Sequence, residues 1–171
     1  MQRIVTRTLA VGLGLGLVVS MAGCSTTTSN WHFTDSEGMV RELSDYKGQV
    51  VVIGFSNTWC EPCQDAADLM QDMQEKFGRH NVKVMMISSW ERGDPEKWMA
   101  ERGYTYGVVL RGTEIARQYD VDQLPSFVVI GMDGRTIYRH DGLSKSTPEK
   151  IAKVVEKHLR KHSASYAQHS G

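Results

Sequence analysis

The order of apolar and polar positions divides the chain into alternating strand and helix signals. Val50-Val51-Val52-Ile53-Gly54-Phe55 is a nearly continuous β-branched run, as expected of a strand buried on both faces. From Pro62 to Phe77 the apolar residues Ala66, Leu69, Met70, Met73 and Phe77 recur at helical spacing. That pattern stops at Gly78, a residue suited to the left-handed position after a helix. Val82–Ile87 predicts a second buried strand, and Asp94-Pro95 supplies an N-cap and first residue for a helix that ends before Gly103. A short strand is expected over Val108–Leu110, and Thr113 is expected to cap a helix running through Tyr119. Ser126–Ile130 and Thr136–His140 flank Met132-Asp133-Gly134-Arg135 and read as a hairpin. Thr147-Pro148-Glu149 opens a last helix with Ile151, Val154, Val155 and Leu159 on one face. Strand-helix-strand units pair in parallel and a hairpin pairs antiparallel, so the expected fold is α/β: a mixed β-sheet flanked by helices on both faces.

The two ends of the chain lack this pattern. Arg3 and Arg7 precede an apolar stretch from Leu9 to Val19, and Met21-Ala22-Gly23-Cys24 closes it with small residues before a cysteine. This segment resembles a bacterial lipoprotein signal, in which the cysteine is acylated before cleavage. Residues 1–23 are expected as the signal, Cys24 as the lipidated residue, and 24–30 as a polar tether of Ser, Thr and Asn. An unlipidated secretory signal is the alternative, and either one takes the domain out of the cytoplasm. The folded unit is expected over 31–161, with 162–171 as a flexible tail.

Composition narrows the class further. The 171 residues carry 20 basic and 20 acidic groups. Removal of residues 1–23 takes Arg3 and Arg7 and leaves a formal charge of −2. No dense Lys/Arg block offers an electrostatic footprint for nucleic acid. With 40% hydrophobic residues the chain builds one core, not a disordered tail or two domains.

The chemistry is concentrated in Trp59-Cys60-Glu61-Pro62-Cys63, at the junction of a buried strand and a helix. A thiol at a helix start faces unpaired N–H groups and the positive end of the helix dipole, which favour the nucleophilic thiolate. Pro62 fits the first turn, where a missing N–H costs little, and the i, i+3 spacing lets Cys63 approach Cys60. Cys60 is therefore the expected attacking sulfur and Cys63 the resolving one, with Trp59 packing over the pair. A negative charge at Glu61 opposes the Cys60 thiolate. A zinc site needs a second ligand pair, and the six histidines have no zinc-finger spacing. A purely structural bridge across so short a loop would add little stability. A thiol peroxidase is a further alternative, although Ser56-Asn57-Thr58-Trp59 lacks a proline-containing pattern ahead of Cys60. His158 and His162 lie at i, i+4 on the last helix, where a solvated face is expected, and the methionines are expected as core filling.

The run VVVIGFSNTWCEPC over 50–63 is followed by Tyr119-Asp120-Val121-Asp122-Gln123-Leu124-Pro125-Ser126-Phe127 and Met132-Asp133-Gly134. Together they resemble the TlpA/ResA-like group of the thioredoxin superfamily. The likeness extends to Phe33–Gly38 and Leu43–Gly48, similar to the N-terminal β-hairpin and turn of that group, and to Asp94–Leu110, similar to its central αβ insertion. The resemblance implies a thioredoxin-like fold and a thiol:disulfide oxidoreductase without cofactor or metal, acting as a monomer. It also implies a cis Pro125 beside the cysteine pair, with Leu124 and Pro125 as substrate-binding residues alongside Trp59, Glu61 and Pro62. Protein thiols and disulfides would be its substrates, apocytochrome c among them, and a membrane thiol reductase its electron donor. A copper-delivery protein on the same scaffold, using Cys60 and Cys63 as thiolate ligands, is the alternative from another class. Two family acids are absent: Gly54 stands where thioredoxin has a buried acid, and Ala66 where ResA-type proteins have a glutamate. Asp68 and Ser56 also replace a usual proline and tryptophan.

Overall fold

The structure, a computed structural model, describes residues 30–35 and 38–168. In chain order the elements are β1 (His32–Thr34), β2 (Val40–Glu42), a 3-10 turn (Leu43–Tyr46), β3 (Val50–Ser56), α1 (Glu61–Phe77), β4 (Val82–Ser88) and α2 (Pro95–Arg102). They continue with β5 (Gly107–Val109), α3 (Thr113–Gln118), β6 (Ser126–Ile130), β7 (Thr136–Asp141) and α4 (Thr147–Gln168). A five-stranded sheet has the order β5-β4-β3-β6-β7, and β1 and β2 form a separate two-stranded hairpin. β3 pairs in parallel with β4 and antiparallel with β6; β4 and β5 are parallel, β6 and β7 antiparallel.

Every residue of β3 is buried because helices cover both faces of the sheet. Val50 and Val52 face a cluster with Leu69, Met70 and Met73 of α1 and Ile151 and Val155 of α4. Val51, Ile53 and Phe55 face the opposite way, onto Ile115 and Ala116 of α3 and onto Trp31 and Leu43 beside the N-terminal hairpin. This two-sided partition follows from side chains alternating along a strand. The hairpin is tied down at a buried point, where the Trp31 indole donates to the Tyr119 hydroxyl at 3.0 Å. Burial raises the Tyr119 phenol to about 12, with the Trp31 bond opposing the shift, so it stays protonated. The methionines Met70, Met73, Met85 and Met86 are all buried in the core.

Several local expectations are corrected. Gly78 follows α1 in a right-handed conformation, φ −59° and ψ −14°. The left-handed residue of this reversal is Asn81, at φ 61°, whose amide donates to the Gly48 carbonyl at 2.6 Å. A side chain that can bond to the neighbouring turn supplied what glycine freedom was expected to supply. Thr113 does not cap α3, for Gly112 is the N-cap and the Thr113 hydroxyl is engaged with Trp90. The short strand starts one residue early, at Gly107, and α4 continues to Gln168, past Lys161. His158 is not part of a solvated face: it is half-buried, and its Nε2 accepts from the Met132 N–H at 3.1 Å. Its ring lies 4.4 Å from that of His162. The signal, Cys24 and nearly all of the tether lie outside the described residues.

Candidate active site

Four residues separate the end of β3 from the start of α1, so the chain reverses over the end of the sheet and sets Cys60 at the N-cap of α1. Cys60 and Cys63 form a disulfide, with Cα atoms 5.2 Å apart. The Cys63 N–H donates to the Cys60 carbonyl at 3.0 Å, which closes the first turn between them. Cys63 is 1% exposed, whereas Cys60 is partly open. Cys60 lies in a groove of about 300 Å³ lined also by Trp59, Trp90, Asp122, Gln123 and Leu124.

Each wall of the groove has an identifiable support. Asn57 is buried, 3% exposed. Its Oδ1 accepts from the Cys60 N–H at 2.9 Å while its Nδ2 donates to the Ser89 carbonyl at 3.2 Å. Both polar ends of a buried amide are thus used, as burial requires. The Trp59 indole donates to the Trp90 carbonyl at 3.0 Å, and the Arg92 guanidinium sits 4.9 Å from the centre of the Trp59 ring. On the far wall the Leu124–Pro125 peptide is cis, Leu124 is half-buried and Pro125 is buried. The Pro125 carbonyl accepts from the Gly142 N–H at 2.7 Å. Arg139 of β7 donates to the carbonyls of Tyr119 and Asp120, anchoring the segment that leads to Asp122 and Gln123.

The fold therefore brings Cys60, Cys63, Trp59, Leu124 and Pro125 to one end of the sheet. Glu61 and Pro62 are exposed on the first turn of α1 and do not line the groove. Asn57, Trp90, Asp122 and Gln123 were not anticipated as site residues. The only signal for Asn57 was a polar residue directly after a buried strand, and nothing local distinguished Trp90 in its polar surroundings. The packing also accounts for one missing acid. A Cβ at Gly54 would lie 3.0 Å from Met70 Sδ, so Met70 fills the place a buried carboxylate would need.

Comparison with known proteins agrees with this geometry. Residues 26–139 match the AhpC/TSA family. The thiol-disulfide oxidoreductase ResA of Bacillus thuringiensis subsp. konkukian is 29% identical over 130 residues, covering 75% of this chain and 74% of that protein. ResA of Geobacillus thermodenitrificans is 26% identical over 147 residues, covering 78% and 84%. Among solved structures, a thioredoxin family thiol:disulfide interchange protein from Chlorobium tepidum superposes with a TM-score of 0.69 at 19% identity, over 79% of this chain and 97% of that one. StoA from Bacillus subtilis gives 0.62 at 18% identity, over 74% and 96%. The structural likenesses establish a thioredoxin-like fold. The chain belongs to the AhpC/TSA family and, within the thioredoxin superfamily, is a TlpA/ResA-like thiol-disulfide oxidoreductase.

Proposed function

We propose that the chain is a lipid-anchored reductant of protein disulfides outside the cytoplasm, with Cys60 as the attacking sulfur and Cys63 as the resolving sulfur. The observation that carries this reading is the asymmetry of the pair: Cys60 opens into the groove at the start of α1, and Cys63 is shielded one turn inside. In the reduced protein the positive end of α1 favours a Cys60 thiolate. That thiolate attacks one sulfur of a substrate disulfide, forms a mixed disulfide and releases the other substrate sulfur as a thiolate. Cys63 then loses its proton to water and attacks Cys60 Sγ. The Cys60–Cys63 bond forms, the second substrate sulfur departs as a thiolate, and both substrate thiolates take up protons. Two electrons pass from the cysteine pair to the substrate.

Water is the proton acceptor in this scheme because Gly54 and Ala66 provide no carboxylate. Leu124 and Pro125 support an extended substrate segment that pairs with the backbone of Leu124. Trp59 forms one side of the entrance. Lipid on Cys24 holds the domain at a membrane facing the periplasm. An oxidising compartment requires that a reductant be recharged, which assigns the donor role to a membrane thiol reductase and suits apocytochrome c as a substrate.

The deciding measurement is the reduction potential of the Cys60–Cys63 couple. A value near about −270 mV supports a reductant, whereas one near about −120 mV reverses the direction of electron flow. The anchor is tested separately by Cys24→Ala. Loss of acyl labelling is expected, and unchanged labelling removes the lipoprotein assignment.

A further inference from the structure

Three successive side chains ahead of Cys60 reach across to a single loop. Asn57 donates to the carbonyl of Ser89, Thr58 to that of Arg92 at 2.9 Å, and Trp59 to that of Trp90. From the opposite side, the Thr113 hydroxyl at the start of α3 accepts from the Trp90 N–H at 2.8 Å. Both backbone polar groups of Trp90 are thereby bonded, and its φ is 52°. A bulky non-glycine residue stays in this left-handed region only where its surroundings over-determine it. The result of this restraint is an indole left 38% exposed on the wall of the Cys60 groove. Trp59, the other exposed indole of that wall, already has the Arg92 guanidinium against its ring. Trp90 thus adds a second large apolar surface, beside the more exposed Trp59, to the wall that meets whatever enters beside Cys60.

An extended segment that brings a cysteine sulfur to Cys60 presents its residue two positions away on the same side, about 7 Å along the chain. A groove of about 300 Å³ has room for one large side chain there. We infer that Trp90 is a specificity-determining residue that selects protein segments carrying an aromatic or branched aliphatic side chain two positions from the cysteine attacked by Cys60. This rests on the proposed role of Cys60 as the attacking sulfur. It also gives the Ser56-Asn57-Thr58-Trp59 sequence a purpose: its last three side chains hold the selecting loop in place. An apolar substrate side chain covered by an indole contributes area burial and ring packing, and discrimination by one such contact is about tenfold or more.

The test compares the reduced full chain on two disulfide-linked peptides that differ only in Phe or Ser two positions from the cysteine. Hydroxyethyl disulfide serves as a small probe of the exchange itself. The expected result is a kcat/KM about tenfold higher for the Phe peptide, with the difference residing in KM. Trp90→Ala should bring the two peptides within about twofold of each other, while Trp90→Phe retains most of the preference and shows that the loop still folds. Thr113→Val, which removes the acceptor of the Trp90 N–H, should reduce the preference part-way. A wild-type protein without preference, or a Trp90→Ala variant that keeps it, overturns the inference while leaving the oxidoreductase reading standing. A reduced wild-type protein that does not cleave hydroxyethyl disulfide overturns both.

Discussion

The middle of the sheet and its cysteine-bearing end are held together by different kinds of force. In the middle, Val50, Val52, Phe127 and Val129 are fully buried and packed against α1 and α4 by apolar contact. At the end, residues 57–59 bond through their side chains to backbone carbonyls of residues 89–92, and two indoles are left facing solvent. Contact area is non-directional, and a core accepts other apolar residues of similar volume at modest cost. A bond from a particular amide or indole to a particular carbonyl has no such substitutes. The core therefore supplies stability, while the cysteine end uses specific donors to hold an accessible sulfur between fixed walls.

The largest effects are expected at the sulfurs. Cys60→Ser should abolish exchange and trap few mixed disulfides, whereas Cys63→Ser should abolish turnover yet accumulate mixed disulfides through Cys60. Non-reducing gels with a disulfide-linked peptide read the difference, and equal trapping by the two variants would reverse or erase the assigned order of attack. Next in size is Phe127→Ala, in the middle of the sheet. It should cost about 3–5 kcal/mol in denaturant unfolding. Where the variant remains folded, the Cys60 alkylation rate should stay near wild type, and a large change would show that core and site are not separable in the way described.

Asn57→Ala should cost less stability, about 1–3 kcal/mol, because it leaves the Cys60 N–H and the Ser89 carbonyl without their buried partner. Its effect on turnover should nevertheless exceed that of Phe127→Ala, a crossing of the two rankings that urea unfolding and peptide reduction together would reveal. The smallest effect lies away from the site, at His158. Burial, then the neighbouring charges of His162 and Lys161, lowers its pKa below 6.5, while Asp133 acts in the opposite direction. The folded state thus disfavours protonation relative to the unfolded chain. Its contribution is present above about pH 6.5 and is lost as the pH falls through that value toward the lower folded one. His158→Gln should flatten the decline in urea midpoint between about pH 7.5 and about pH 5. An unchanged slope would place the acid sensitivity elsewhere.

Features that depend on near neighbours were legible in the order of residues alone. An unbroken β-branched run before a helical pattern made β3 and α1 legible, and with them the cysteine pair at their junction. Alternating and helical periodicities report burial directly, which is why the elements from β3 to β7 fell within a residue or two of their expected limits, while α4 runs seven residues past the expected end at Lys161. Gly78 and Thr113 were misread for one reason: each has the residue type that favours a local cap, but tertiary bonds made by Asn81 and Trp90 took precedence. The construction of the groove depends instead on contacts between distant segments. Its supports join Asn57 to Ser89, Trp59 to Trp90, Trp90 to Thr113 and Arg139 to Tyr119, pairs separated by 20 to 32 residues. Ser89-Trp90-Glu91-Arg92-Gly93 reads locally as an ordinary polar loop, because nothing in its own composition records that three side chains from another loop will bond to it. Hydrophobic periodicity is a property of one segment, whereas a hydrogen bond between two loops exists only after the sheet has brought them together.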